Sequence, residues 1–120
     1  MPDLRKKLGD FGEQAALAYL LRQGYTLVAR KWSCAVGELD LIMREGAALV
    51  FVEVRVRADS RHGGAAASIG SVKQRRIIHA AQQFLQRFPE MPPCRFDVMV
   101  CDQPGPPWQW TWIVAAFDAA

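Results

Sequence analysis

The alternation in residues 51–57, which read FVEVRVR, constrains the fold more than any other segment. Three valines alternate there with Glu53, Arg55 and Arg57, and a period of two is that of a β-strand with one apolar and one charged face. The charged face either meets water or lies beside a ligand. The chain must therefore build a sheet in which this strand carries a carboxylate and two guanidinium groups on one side.

Similar patterns predict four further strands. Segments rich in β-branched and aromatic residues, joined by short turns, are typical of consecutive antiparallel strands, so we expect a meander at the start of the sheet. The predicted strands cover residues 25–32, 38–44, 47–57, 95–101 and 108–117. In the last of them Trp108, Trp110 and Trp112 alternate on one face. Residues 58–70 are rich in glycine and alanine and predict a mobile loop.

Two segments predict helices. Residues 10–23 are dense in alanine and leucine, with Asp10 as the N-cap and Gly24 as the stop. Residues 71–88 begin with a capping-box pattern of serine and glutamine. The apolar stripe of this second helix consists of Ile77, Ala81, Phe84, Leu85 and Phe88. The order α-β-β-β-α-β-β predicts one mixed α/β sheet with helices packed on it.

The totals indicate a cytoplasmic globular protein. The 120 residues suffice for one compact domain, and no apolar run approaches the ~20 residues of a membrane helix. The basic N-terminal stretch has no apolar segment behind it, so we expect no signal peptide. The three cysteines include no C-x-x-C pair, which argues against a disulfide framework or a zinc site and favours a reducing cytosol.

Four charged residues adjoin predicted apolar faces, and each also has an ordinary explanation. Glu13 borders an apolar helical row, but a glutamate in a first turn also favours the helix dipole. Asp40 precedes Ile42 on one strand face, although a solvated strand end explains it equally well. Glu53 follows two apolar residues on its face, and a cross-strand salt bridge is the alternative. Lys73 begins the apolar row of the second helix; either a carboxylate lies nearby or the side chain extends into water.

Together these residues place carboxylates on a helix and on two neighbouring strands, with lysine or arginine beside them. Carboxylate oxygens of this kind suit Mg²⁺ or Mn²⁺ rather than zinc. Metal-bound carboxylates next to a cation are what phosphodiester hydrolysis requires, because the metal activates water and stabilises charge in the transition state.

Five ordered motifs carry a resemblance that covers the chain from about residue 8 to Phe117. The segments GDFGEQAALAYLLRQGY, GELDLI, FVEVRVR, SVKQRRI and RFDV closely resemble the YraN-like family of small bacterial proteins. That family is similar to archaeal Holliday-junction resolvases and belongs with the PD-(D/E)XK, restriction-endonuclease-like nucleases. The resemblance implies a single restriction-endonuclease-like domain over residues 1–120, with an α-β-β-β-α-β core and a mixed central sheet flanked by helices. It also implies an active site along the second and third strands.

The resemblance assigns roles residue by residue. It implies that the helix acid is Glu13, that the nuclease aspartate is Asp40, and that the glutamate of the E-x-K motif is Glu53. Lys73 matches a lysine of the second helix that often supports such sites.

Three positions depart from the family pattern. Arg55 replaces the lysine of E-x-K, Lys31 stands where asparagine is usual, and His62 stands where an aromatic residue is common. The first departure bears on catalysis, because arginine keeps the positive charge but cannot lose its proton near neutral pH.

The leading hypothesis is a Mg²⁺- or Mn²⁺-dependent endonuclease that hydrolyses phosphodiester bonds in DNA, including branched or recombination intermediates. The metal ligands would be Glu13, Asp40 and Glu53, directly or through water. Arg55 would contact the scissile phosphate, and Lys73 would assist. The DNA would be bound by basic residues that flank the loop, namely Arg57, Arg61, Lys73, Arg75 and Arg76. A homodimer is also implied, because related resolvases act as dimers on two-fold symmetric junctions.

Two other hypotheses remain open at this point. A catalytically silent nucleic-acid-binding module on a nuclease fold is favoured by Arg55, since a fold does not guarantee its chemistry. A protein-interaction role is favoured by the three alternating tryptophans, if they form an exposed patch rather than part of the core.

Overall fold

The computed structural model describes residues 4–57, 69–103 and 105–119. These residues form helices and strands in the order α-β-β-β-α-β-β, as predicted. The helices are α1 (Leu4–Arg22) and α2 (Ser71–Leu85). The strands are β1 (Thr26–Cys34), β2 (Gly37–Glu45), β3 (Ala48–Val56), β4 (Cys94–Cys101) and β5 (Thr111–Phe117).

The strands form one mixed sheet in the spatial order β1-β2-β3-β4-β5. β1, β2 and β3 form the predicted antiparallel meander. β4 runs parallel to β3, and α2 lies in the crossover that a parallel pair needs. β5 returns antiparallel to β4. The predicted mixed α/β sheet with packed helices is therefore confirmed.

The two helices cover opposite faces of the sheet. Leu49 and Phe51 of β3 belong to the apolar cluster that α2 completes, whereas Val50 and Val52 belong to the cluster that α1 completes. Phe84 of α2 meets Phe51 edge-on, with ring centroids 6.3 Å apart. Alternate residues of β3 therefore pack into two separate cores, one on each face of the sheet. The apolar stripe predicted for the second helix is confirmed, since Ile77, Ala81, Phe84 and Leu85 are buried and Phe88 is partly buried.

The prediction that Asp10 caps the first helix is wrong. α1 begins at Leu4, because leucine, arginine and lysine in the residues before Asp10 are good helix formers and extend the helix toward the N-terminus. The Asp10 carboxylate lies 2.7 Å from Lys31 Nζ on β1, so it pairs between elements. The predicted stop is confirmed: the helix ends at Arg22, and Gly24 has a φ of 92° that favours glycine.

The capping-box prediction for the second helix is also wrong. The N-cap of α2 is Gly70, with no side-chain cap, and Ser71 is already helical. The Gln74 side-chain amide donates instead to the carbonyl of Ile69 at 3.0 Å. Ile69 is buried in the α2-side cluster, so its packing positions the chain ahead of the helix.

The fifth strand begins three residues later than predicted. Thr111 pairs with Val100, and β4 ends one residue beyond Val100, so earlier residues have no strand to pair with. Of the three alternating tryptophans, Trp112 alone lies in the strand; the rings of Trp108 and Trp110 stack before it, with centroids 5.8 Å apart and planes at 8°.

Residues 58–68 of the predicted loop 58–70, including Arg61 and His62, lie outside the residues that the structure describes. Within the described part of the chain, no helix is long and apolar enough to cross a membrane.

Candidate active site

The site begins where β2 and β3 separate. The antiparallel register runs from Glu45↔Ala48 to Leu41↔Val52 and is not continued to the next pair. Beyond that point Asp40 Oδ2 accepts a hydrogen bond from the Val54 backbone N–H at 2.9 Å. In a continuous sheet, a backbone carbonyl of the neighbouring strand would accept the hydrogen bond from this N–H group. Here the Asp40 carboxylate accepts it instead, and this bond fixes Asp40 between the two strands.

Glu53 lies beside Asp40, on the α2 face of β3. It is 5% exposed and follows Leu49 and Phe51 on that face, as the alternation predicted. Lys73 Nζ lies 2.7 Å from Glu53 Oε1, so the carboxylate that compensates this first-turn lysine comes from β3. The carboxyl groups of Asp40 and Glu53 are close enough to share a hydrogen bond.

The electrostatics of this pair favour a bound cation or a shared proton. Burial, reinforced by the negative charge of Asp40, raises the pKa of Glu53 to about 8, although Lys73 acts in the opposite direction. Burial also raises the pKa of Asp40, while the hydrogen bond from Val54 N–H opposes the rise. Two like charges in a poorly hydrated site cannot both ionise cheaply, so the pair holds a proton near neutral pH.

Glu13 approaches the pair from the other face, on α1. It is 7% exposed, and its Oε1 is buried with no hydrogen-bond partner among the residues that the structure describes. Arg30 Nη2 lies 3.7 Å from that oxygen, which is an ion-pair distance rather than a hydrogen bond. Burial, followed by the charge of Asp40, raises the pKa of Glu13 to about 7. Glu13 is therefore electrostatically linked to Asp40.

The three acids do not form a closed metal cage. Across residues 4–57, 69–103 and 105–119, no three His, Cys, Asp or Glu side chains are gathered closely enough to hold one ion. Asp40 and Glu53 meet, and Glu13 stands apart from them. A pair of carboxylates still fits Mg²⁺, because this ion commonly binds one or two carboxylates together with waters and substrate phosphates.

The predicted basic residues are distributed around this pair. Arg55 is half-buried on β3 and lowers the pKa of Asp40 through its charge; it also makes interactions of its own. Arg57 follows the end of β3, where its N–H donates to the Cys101 carbonyl at 2.8 Å. Arg75 and Arg76 are exposed in the first two turns of α2. Their position leaves them accessible to a polyanion on the α2 side of the sheet.

The structure adds two features that the sequence reasoning missed. Asp97 on β4 is fully buried and accepts hydrogen bonds from Arg95 and Trp112; its signal was an aspartate between the apolar residues Phe96 and Val98 of a predicted strand. Lys31 has a φ of 49°, a left-handed conformation that asparagine tolerates better than lysine. This conformation explains physically why asparagine suits position 31.

Comparisons with known proteins agree with one another. The model of UPF0102, described as an uncharacterised protein family, matches residues 12–101. A UPF0102 protein of Janthinobacterium sp. (strain Marseille) is 50% identical over 119 residues, which is 98% of this chain and 94% of the relative. A UPF0102 protein of Methylibium petroleiphilum is 49% identical over 122 residues, covering 96% of this chain and 97% of the relative. The match thus spans nearly the whole chain, and the protein belongs to the UPF0102 family, whose YraN-like members its motifs resemble.

Proposed function

We propose that this protein is a metal-dependent nuclease that hydrolyses phosphodiester bonds in DNA, with branched or recombination intermediates among its substrates. The observation that carries the proposal is the pair formed by the half-buried Asp40 and the buried Glu53 at the point where β2 and β3 separate, with Lys73 Nζ 2.7 Å from Glu53 Oε1. A second carboxylate beside a buried one costs free energy unless a cation or another ligand compensates the two charges.

The topology supports a restriction-endonuclease-like assignment. The order α-β-β-β-α-β is the one that the resemblance implies, and the acids lie on β2 and β3, where that fold carries its active site. Glu13 extends from α1 toward the same region, linked to Asp40 through charge. Each of these placements follows the pattern of the PD-(D/E)XK nucleases.

A Mg²⁺ or Mn²⁺ ion would be held by Asp40 and Glu53, with Glu13 contributing through water. When bound, the ion would supply an activated water and positive charge near the scissile phosphate. Lys73 neutralises Glu53 through their ion pair. When a cation binds Glu53 in place of the lysine, the Lys73 side chain can contact a phosphate oxygen instead. Arg55 keeps a fixed positive charge beside Asp40 and would contact the phosphate, but it cannot accept a proton near neutral pH.

The charge distribution supports a DNA partner. Setting aside Glu13, Asp40 and Glu53 leaves nine acidic against 15 basic residues. Arg57, Arg75 and Arg76, together with Arg61, would bind the phosphate backbone, and such contacts carry most non-specific affinity for DNA. A homodimer would present two such sites to a two-fold symmetric junction.

A catalytically silent DNA-binding module is the second candidate. Arg55 favours it, because the planar guanidinium replaces the compact charge of the usual lysine. In that case the carboxylate pair would be a remnant, and the basic surface would be the functional part.

The test is a cleavage screen with Mg²⁺ and with Mn²⁺. It compares duplex, single-stranded, flap and four-way-junction DNA, using the wild type, Glu53→Gln and the exposed control Glu90→Gln. We expect the wild type and Glu90→Gln to cut at least one substrate and Glu53→Gln to cut it about 100–1,000-fold more slowly, as for loss of one electrostatic contact at a transition state.

Two results of this screen would contradict the nuclease proposal. If wild type and Glu53→Gln cut at equal rates, a contaminating nuclease is responsible and the proposal fails. If neither cuts any DNA while both bind it in a salt-dependent manner, the silent module is correct.

A further inference from the structure

An apolar groove lies between α1 and the segment that precedes β5. Its volume is about 440 Å³. It is lined mainly by Leu8, Phe11, Ala15, Pro106 and Trp108. Phe11 is 59% exposed, and it lies among other apolar side chains of the groove, so it belongs to an exposed apolar patch rather than standing alone. Neither buried cluster of the sheet includes it.

An aromatic wall separates this groove from a second cavity. The rings of Trp108 and Trp110 stack in parallel, with centroids 5.8 Å apart. Trp108 lines the apolar groove, and Trp110 lines a polar cavity of about 460 Å³. An apolar slot walled by stacked aromatic rings suits a ligand with a flat ring.

Gly12 brings α1 close to the groove. A Cβ atom at Gly12 would collide with Val56 of β3 and lie 3.6 Å from Trp108, so glycine lets the helix approach both. The groove is therefore built where α1 packs closely against the segment that precedes β5.

Two exposed lysines of α1 precede the groove residue Phe11. Lys7 lies one helical turn before Phe11 and is exposed, and Lys6 beside it is exposed as well. A basic edge next to aromatic rings is the combination with which proteins bind single-stranded nucleic acid: the lysines meet phosphates and the rings stack on bases.

We propose that this groove binds an unpaired nucleobase against Phe11 and Trp108, so that the protein prefers DNA with a single-stranded segment over a continuous duplex. The inference rests on the proposed function, since it names the class of DNA on which the proposed nuclease would act.

The test measures binding in EDTA, where no cleavage can interfere. The probes are a labelled single strand of about ten nucleotides, matched to the usual site size of such surfaces, and a duplex of the same sequence. The variant is Phe11→Ala, and the control is Leu21→Ala, an exposed apolar residue of the same helix outside the groove. Thermal unfolding verifies that both variants fold, as expected for alanine at exposed helix positions.

We expect Phe11→Ala to weaken single-strand binding about 5- to 150-fold, the effect of losing one stacked base, with little change for the duplex. Leu21→Ala leaves both affinities unchanged. Tryptophan fluorescence of the wild type is quenched by the single strand, and Trp108→Phe reduces that quenching.

Two results overturn the inference. One is equal single-strand affinity in the wild type and Phe11→Ala; the other is no single-strand binding by the wild type at low salt, in which case the groove fits a protein segment. Neither result touches the nuclease proposal, which is decided by metal-dependent cleavage. Conversely, Phe11-dependent binding by a protein that cuts nothing supports the groove and refutes the nuclease.

Discussion

Two buried carboxylate sites occupy this sheet, and they differ in the hydrogen-bond donors around them. Asp97 on β4 accepts two bonds on each oxygen: from Arg95 Nε at 3.0 Å and Nη2 at 3.2 Å, from Trp112 Nε1 at 2.9 Å, and from the Ala115 N–H at 3.0 Å. Arg95 also donates to Glu45 and Tyr25. This network joins β2, β4 and β5 with Tyr25, the residue that precedes β1, and every charge in it has a partner.

Asp40, Glu53 and Glu13 form the other site, and Glu13 Oε1 has no hydrogen-bond partner among the residues that the structure describes. Asp40 has the Val54 N–H, Glu53 has Lys73, and Glu13 has an ion-pair contact with Arg30 at 3.7 Å. The contrast teaches that burial alone does not define a functional acid. A buried carboxylate surrounded by donors stabilises the fold, whereas buried carboxylates that face one another lower stability until a ligand compensates them.

The largest effect that would sharpen this contrast is expected at Asp97. Asp97→Ala should lower the free energy of unfolding by about 3–5 kcal/mol, because it removes the buried acceptor of Arg95 Nε, of the Trp112 N–H and of the Ala115 N–H. Urea unfolding followed by far-UV circular dichroism measures the change. A loss below about 1 kcal/mol would show that the network is not what holds β4 and β5 together.

The next effect concerns the pH dependence of stability at Glu53. Its folded-state pKa of about 8 exceeds the ordinary value of 4.5, so between these values the folded state holds more protons than the unfolded state. Stability is therefore greatest below pH 4.5 for this group, falls as the pH rises toward 8, and is constant above it. Each unit by which the pKa is raised corresponds to about 1.4 kcal/mol.

Glu53→Gln provides the matched measurement. In EDTA, the variant should lose much of the decline in unfolding free energy between pH 5 and 8 and should be at least as stable as the wild type at pH 8. Equal slopes in both proteins would mean that Glu53 ionises normally, and the contrast with Asp97 would disappear.

A smaller effect is expected at Arg55. Arg55→Lys should speed metal-dependent cleavage about tenfold, part of the 100–1,000-fold that a well-placed contact contributes, with little change in DNA affinity. Lysine presents a compact charge that orients water, whereas arginine is planar and bulkier. Single-turnover rates and anisotropy titrations separate the two quantities. Slower cleavage by the lysine variant would show that the arginine is adapted to this site.

The smallest effect is expected at Lys31. Lys31→Asn should change the unfolding free energy by less than about 0.5 kcal/mol, because relief of the left-handed backbone offsets the lost exposed ion pair with Asp10. The pKa of Glu13 should rise further, since Lys31 lowers it now. Carboxyl-detected NMR titration measures that pKa. An unchanged value would exclude Lys31 from the electrostatics of the acids.

Much of the fold was predictable because local periods carry it. The alternation in β3 identified both of its faces, and the spacing of apolar residues in α2 identified the packed stripe. The N-cap predicted at Asp10 failed because good helix formers lie before it, and β5 began late because a strand needs a partner that β4 no longer provides at Trp108 and Trp110. The start of a helix or strand thus depends on residues outside the segment that carries its pattern, so the pattern of that segment alone does not determine it.

The site was predictable in part for the same reason. Polar residues at apolar positions pointed to Asp40 and Glu53, and the two side chains do meet. The isolation of Glu13 and the partners of Asp97 depend on how α1 and β5 are placed on the sheet. Those contacts join residues far apart in the chain, so no local pattern records them.

The hydrogen bond between the Val54 N–H and Asp40 has a spectroscopic consequence. The amide proton of Val54 is held by the same carboxylate that would bind a cation, so its chemical shift and its exchange rate with solvent follow the occupancy and charge of the site. The Val54 resonance in a nitrogen–proton correlation spectrum therefore reports the charge and occupancy of the Asp40–Glu53 pair. It would register a metal ion, a proton or a phosphate without any label placed in the site.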